Sequence, residues 1–181
     1  MHKIVEREDY FSAAIDILAE DDHGGLKITP LCRRLQVTSG SFYNYFGGWA
    51  NFKTELLEFW LDDRTVQLAE AARRHEDAEQ GMIALIEFSC GLPHRAEAAI
   101  RAWSHSDGEV LKIQSTVDEQ RYRVTFDILE RLLGDATDAE HRARLALFVT
   151  TGYQQVQPLP EVEHLRRSLH MVFADILPAL A

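Results

Sequence analysis

The stretch Ile28-Thr29-Pro30-Leu31-Cys32-Arg33-Arg34-Leu35-Gln36-Val37-Thr38-Ser39-Gly40-Ser41-Phe42-Tyr43-Asn44-Tyr45-Phe46 decides how the rest of this chain is read. Ile28, Leu31, Cys32 and Leu35 fall at i, i+3, i+4 and i+7, the apolar face of a short helix. Thr29 is placed to cap its start, and Pro30 suits a first helical position, where no backbone N–H is missed. Val37 reads as a buried plug, and Thr38 and Ser39 as a second cap. A second short helix then carries Ser41, Phe42, Tyr43, Asn44, Tyr45 and Phe46. Two short helices joined by a tight turn form a helix-turn-helix, whose second helix can enter the DNA major groove.

The charge distribution points the same way. The 181 residues include 19 basic and 29 acidic ones, a formal net charge of −10. No Asp or Glu occurs between His23 and Thr54, where Lys27, Arg33, Arg34 and Lys53 contribute +4. Residues 1–22 hold −5 and residues 55–181 hold −9. A polyanion responds to local potential rather than to overall charge, so an acid-free basic window suits a phosphate-facing surface. The alternative, a solvated charge run of chance composition, does not explain why the window coincides with the two-helix pattern.

The run from Cys32 to Phe46, followed by Asn51-Phe52 and Leu56-Leu57, resembles the DNA-binding domain of the tetracycline-repressor (TetR) family. The shared pattern is a valine, a polar turn, Gly-Ser-Phe-Tyr, two further residues and Phe, then a long amphipathic helix. The resemblance covers roughly residues 8–60. The segment Arg95–Trp103 also resembles one found in a branch of that family. The resemblance implies a small all-helical homodimeric repressor whose core binds a ligand and thereby loosens DNA binding. This chain departs from the pattern at several positions. Gln36 stands where a glycine usually serves a left-handed turn, at a cost of about 1 kcal/mol. Ser39 replaces a common Lys or Arg, Tyr45 a common His, and Trp49 a phosphate-binding Lys.

The remaining sequence reads as helices. No run of about 18 apolar residues predicts a membrane span. The N-terminus lacks an apolar signal region, so a cytoplasmic location is expected. Cys32 and Cys90 read as small buried hydrophobes in a reducing compartment. Period-two alternation is absent over any length, so the fold class is all-α, with about nine helices. Residues 1–48 are expected to form the DNA-binding head and residues 49–181 the ligand-binding and dimerisation domain.

A first helix runs from about Glu8 to Asp21, and a long fourth one from about Trp49 to His75. Lys3 and Arg7 read as ordinary surface charges. Capping-box spacings, Asp77 with Gln80, Ser106 with Glu109 and Thr137 with Glu140, open three later helices. A last helix carries Leu165, Leu169, Val172, Phe173, Ile176 and Leu180.

Chemistry for an enzyme does not assemble. The eight histidines show no His-Glu-x-x-His spacing, and there is no Cys-x-x-Cys, phosphate loop or Gly-x-Ser-x-Gly elbow. No catalytic residue, metal ligand or cofactor is assigned. The expected activity is binding of double-stranded DNA by a homodimer, under the control of an unidentified small-molecule effector. Candidate DNA contacts are Thr29, Arg33, Arg34, Thr38, Ser39, Gly40, Ser41, Tyr43, Asn44, Tyr45 and Lys53. Among these, Ser41, Tyr43 and Asn44 are the candidates for contact with base edges. Candidate pocket residues are Phe88, Trp103, His105, Ile113, Tyr122, Phe126, Phe148 and Thr151, and the acidic core suggests a neutral or cationic lipophilic effector. Leu145, Val149, Gly152, Leu165, Leu169, Val172, Phe173 and Ile176 are the candidate dimer interface. The competing reading is a module of the same fold with weakened DNA binding, kept for ligand sensing or heterodimerisation.

Overall fold

A computed structural model of the chain describes residues 5–73 and 77–177. Lys3, the His75 helix end and Leu180 lie outside the described residues. These residues form nine α-helices and no strand: α1 (Arg7–Gly25), α2 (Ile28–Leu35), α3 (Ser39–Phe46), α4 (Trp49–Arg73), α5 (Ala78–Cys90), α6 (His94–Ser104), α7 (Gly108–Leu133), α8 (Ala136–Gln155) and α9 (Val162–Phe173). The all-α expectation is met. Helix α1 extends past the expected Asp21 but kinks at Asp22, whose φ is 59°.

Caps explain where several helices start. Thr38 accepts the Ser41 N–H and opens α3, and Asp77 accepts the Glu79 N–H and opens α5. Helix α7 begins on Asp107, which accepts from the Glu109 and Val110 N–H groups at 3.0 and 3.4 Å. Helix α8 begins on Asp135, which accepts from Thr137 and Asp138 at 2.8 and 3.1 Å. The spacing had pointed to Ser106 and Thr137. An ionised carboxylate makes a stronger hydrogen bond than a hydroxyl and favours the positive end of the helix dipole, so the neighbouring aspartates take the role. Thr29 is inside α2 rather than capping it, and Pro30 is the third helical residue rather than the first, because the helix starts two residues earlier, after Lys27.

Contacts divide the chain into two compact units. One runs through Asp62 and takes in Pro93–Gln114; the other holds Asp63–Leu92 and the chain from Ser115 onward. The division thus falls inside α4 and α7, not at residue 48, and α6 belongs with the helix-turn-helix. In this first unit α1 packs against α2 and α6. Its centre is aromatic: the Phe46 ring lies 5.3, 5.8, 5.2 and 5.0 Å from those of Tyr10, Phe11, Phe42 and Phe52. Edge-on and tilted pairs of this kind add about 0.5–1.5 kcal/mol each beyond their burial, which fixes the orientation of α3.

The second unit is built on α5, α8 and α9, with α9 docked against the other two. Its core includes Leu85, Ile86, Leu129, Ala143, Leu165, Leu169 and Phe173. Two ion-pair clusters hold α9. The Arg166 guanidinium forks onto both Glu87 oxygens at 2.9 Å, holding that carboxyl below the usual carboxylate range. Arg142 forks onto Asp175 at 2.8 Å and also donates to Asp138.

Candidate functional site

The helix-turn-helix forms as the sequence leads one to expect. Gln36 ends α2 with φ 57°, the left-handed conformation that the turn requires. Its own N–H bonds back to the Arg33 and Cys32 carbonyls. Gly47 ends α3 at φ 69°. Between these two turns, α3 has an inner and an outer side. Phe42 and Phe46 are fully buried. Ser41 and Tyr45 also face inward: the Ser41 hydroxyl shares a 2.9 Å hydrogen bond with Tyr10, and the Tyr45 hydroxyl donates to the Val5 carbonyl at 2.7 Å. Ser39, Gly40, Tyr43 and Asn44 make up the exposed side, with Tyr43 51% exposed. Four of the seven candidates from Thr38 to Tyr45 therefore stand in solvent on one face. Thr38 is exposed but occupied as the cap, and Ser41 and Tyr45 are engaged within the fold.

The basic window is less free than its composition suggests. Arg34 is bonded to Glu20 through both terminal nitrogens, with Asp16 at 3.8 Å. The Glu20 hydrogen bond raises the Arg34 pKa and lowers that of Glu20. Lys53 lies 2.8 Å from both Asp107 and Glu109, with its side chain 18% exposed. Hydrogen bonds to these two carboxylates push its pKa up, and theirs are lowered by the same contacts. Arg7, outside the window, is bonded to Glu55 and to the Tyr45 carbonyl. Lys27, Arg33 and Thr29 are exposed, and Lys27 and Arg33 make no ion pair among the described residues. Lys27 was not among the sequence candidates; its place one residue before the helix start was the available signal. Trp49, where a lysine was expected by resemblance, packs its ring 5.4 Å from that of Phe52.

A half-open pocket of about 40 Å³ lies in the second unit. Helix α5 contributes Leu85, Phe88 and Ser89 to its lining, α7 contributes Arg121 and Thr125, and α8 contributes Ala143, Ala146, Leu147 and Thr150; Leu68 and Leu92 complete it. Of the eight pocket candidates, Phe88 alone lines this pocket. Trp103, His105 and Ile113 belong to the first unit, where Trp103 stacks on His23 at 6.2 Å. Tyr122 stacks on Phe126 at 6.0 Å and lies under the Arg144 guanidinium. Phe148 is 64% exposed, and Thr151 is half-buried beside the lining Thr150. Sequence reasoning selected large aromatic residues, whereas a pocket persists where side chains are small, as at Ala143 and Ala146.

The interface candidates also separate. Leu165, Leu169 and Phe173 are 1%, 2% and 0% exposed within the single chain, so they are core residues of the second unit. Val149, Val172 and Ile176 are half-buried against the same core. Leu145 and Gly152 remain on the outside, in line with Phe148 along one face of α8, and exposed Val156 follows just past the end of the helix. A Cβ added at Gly152 would meet open space, so packing within the chain does not call for glycine there. Met171, 75% exposed, is the comparable residue on α9.

The chain thus holds a helix-turn-helix unit and a second, all-helical unit. Neither a family model nor a curated protein matches the sequence. Solved structures do match the fold along nearly its whole length. A transcriptional regulator from Rhodococcus sp. Rha1 is 20% identical with a TM-score of 0.77, covering 97% of each chain. A TetR transcription regulator from Haloarcula marismortui is 15% identical with a TM-score of 0.77, covering 94% of this chain and 97% of its own. A regulator from Saccharomonospora viridis, solved in complex with choline, is 14% identical with a TM-score of 0.78, covering 93% and 95%. The chain has the TetR fold. Among the described residues no helix is long and apolar enough to cross a membrane, and no group of three or more His, Cys, Asp or Glu residues could hold a metal ion.

Proposed function

We propose that the protein is a cytoplasmic DNA-binding transcriptional regulator, a homodimeric repressor of a palindromic operator that releases DNA when a small molecule binds. The observation that carries this reading is the outer face of α3. Ser39, Gly40, Tyr43 and Asn44 stand clear of the fold there, on a helix whose inner face is fixed by aromatic packing. Asn44 can pair bidentately with adenine, and the Tyr43 ring can lie against a base edge. Thr29, Ser39 and the backbone beside Thr38 and Gly40 would hold phosphates, while Lys27 and Arg33 supply charge. Arg34 and Lys53 join them only by leaving their carboxylates. Ser41 and Tyr45 support the helix and reach DNA only by giving up their internal hydrogen bonds.

The exposed line Leu145, Phe148, Gly152 and Val156 supports the dimer. A twofold interface uses the same patch on both copies, and large apolar residues flanking a glycine allow two such helices to approach closely. Half-sites would then lie about one or one-and-a-half DNA turns apart. A bound effector can release DNA only by favouring the conformation that binds DNA poorly, because equal affinity for both states shifts nothing. The pocket beside α5, α7 and α8 supports an effector site. The test is a gel shift with the DNA upstream of the protein's own gene. Binding there, weakened by Tyr43→Ala and Asn44→Ala, is expected. Failure to bind both that DNA and random duplex at low salt would remove the regulator reading.

A second reading has its own support. The ion pairs that occupy Arg34 and Lys53, with the inward hydroxyls of Ser41 and Tyr45, suit a module of the same fold whose DNA binding is weakened. Ligand binding with no duplex binding at low salt would favour it.

A further inference from the structure

The C-terminal end of α3 is held by a residue that the sequence marks only as a surface charge. A helix leaves its last four carbonyls without partners inside it, in α3 those of Tyr43, Asn44, Tyr45 and Phe46. The Gly47 N–H takes the Tyr43 carbonyl at 2.8 Å, and the Asn51 amide of α4 donates to that of Phe46 at 3.2 Å. The Tyr45 carbonyl is met from α1: Arg7, the first residue of that helix, donates to it at 2.6 Å. A cation there also faces the negative end of the helix dipole.

Arg7 is itself held in place. Its other terminal nitrogen is bonded to Glu55 of α4, and its guanidinium carbon stands 5.2 Å over the Phe46 ring. Tyr45 bonds in the opposite direction, its hydroxyl donating to the Val5 carbonyl at 2.7 Å. Residues 5–7 and Tyr45 are thus joined at two points, and two separated bonds restrain the rotation of α3 where one bond does not. Tyr43 and Asn44, exposed just before Tyr45, turn with it. Side chains that read a ligand need to be held to within about 0.5 Å and 10–20°. An arginine beside a DNA-facing helix has another use, as a phosphate contact. Both terminal nitrogens of Arg7 bond within the fold, which favours the first use.

We propose that Arg7, with Tyr45, is a positioning residue for DNA discrimination: the pair sets the angle at which α3 presents Tyr43 and Asn44, and Arg7 makes no phosphate contact. The inference rests on the regulator reading above. The test compares Arg7→Met, which keeps an unbranched stem beside Phe46 and removes the donors, with the unaltered full chain. Fluorescence anisotropy is read with the duplex upstream of the protein's own gene and with a random duplex of equal length, at several salt concentrations. Affinity for the upstream duplex falls about fivefold, the effect of one lost hydrogen bond, while affinity for the random duplex and the salt slope stay unchanged. Tyr45→Phe, which lacks one hydroxyl, lowers the same ratio and decides alone should Arg7→Met fail to fold. Both duplexes weakened together, with the slope flatter by about 1.8 for a dimer, make Arg7 a phosphate contact and overturn the proposal. Both weakened together with the slope unchanged make it a stability residue only, which overturns it as well.

Backbone hydrogen exchange needs no DNA and separates this inference from the reading it rests on. In Arg7→Met the amides of Tyr45, Phe46 and Gly47 exchange about tenfold faster, while those of α2 and α8 keep their rates. Acceleration spread evenly through α1, α2 and α3 overturns the clamp. Faster exchange confined to α3, in a protein whose unaltered form binds neither duplex, keeps the clamp and removes the regulator. Unchanged exchange and an unchanged ratio, in a protein that binds the upstream duplex, keep the regulator and remove the clamp.

Discussion

Salt is the perturbation that reads the charged surface most directly. Each phosphate neutralised by a protein cation releases counterions, giving about −0.9 in the slope of log affinity against log salt. In one subunit the structure leaves Lys27 and Arg33 exposed outside ion pairs, while Arg34 and Lys53 are tied to carboxylates. A dimer therefore brings four such cations, and a slope of about −3.6 is expected. Tripling the salt should weaken operator binding about 50-fold. Were all four window cations of each subunit on phosphates, the slope would be about −7 and the same change would cost about 3,000-fold. Fluorescence anisotropy with a labelled operator, titrated at several salt concentrations, separates these outcomes. Two variants sharpen it. Arg33→Gln should flatten the slope to about −1.8, and Asp16→Asn combined with Glu20→Gln, which together release Arg34, should steepen it to about −5.4. A slope near −7 for the unaltered protein, or one indifferent to Arg33, would refute the assignment of free and tied cations.

Three further outcomes follow from particular side chains. Phe148→Glu places a charge on the exposed α8 line and should give stable monomers in sedimentation, whereas Phe173→Glu buries an unpaired carboxylate and should unfold the second unit, at a cost of several kcal/mol. A Phe148→Glu protein that stays dimeric would remove that interface. Gln36→Gly relieves the positive φ and should stabilise the protein by up to about 1 kcal/mol in chemical denaturation, with no loss if the turn is the limiting strain. Lys53→Met should cost about 0.5–1 kcal/mol in a defined pH range. Asp107 and Glu109 have lowered values, so their contribution is present above the ordinary 3.8 and 4.5 and disappears as pH falls through the folded values. The raised Lys53 value makes its contribution full below 10.5 and lost as pH rises beyond the folded value. Denaturation curves for both proteins should therefore converge in strong acid; a constant difference at every pH would refute the ion-pair origin.

What could be read in the sequence, and what could not, follows from the range of each signal. The helix-turn-helix is written in local terms: a cap at Thr38, a left-handed residue at 36, and apolar residues at helical spacing. Those features depend on neighbours within a few residues, and the structure reproduces them. The acid-free window is also local, but its charge balance is not. Glu20 and Asp16 come to Arg34 from α1, and Asp107 and Glu109 come to Lys53 from the start of α7, more than fifty residues later. A linear count of charges cannot register a partner that arrives only on folding.

The same reasoning explains the interface candidates on α9. Helical spacing shows that Leu165, Leu169 and Phe173 share an apolar face, and it does so correctly. It carries no information on whether that face meets the same chain or another. Here α5 and α8 cover it, and burying each of these side chains is worth about 1.5–3 kcal/mol to the single chain. The residues left for a partner are those that break the inward pattern, an exposed Phe148 and Met171 that packing within the chain does not use. The proposed dimer is thus better sought in apolar residues at the wrong helical phase than in the strongest stripe, and Phe148→Glu tests that distinction against Phe173→Glu in one experiment.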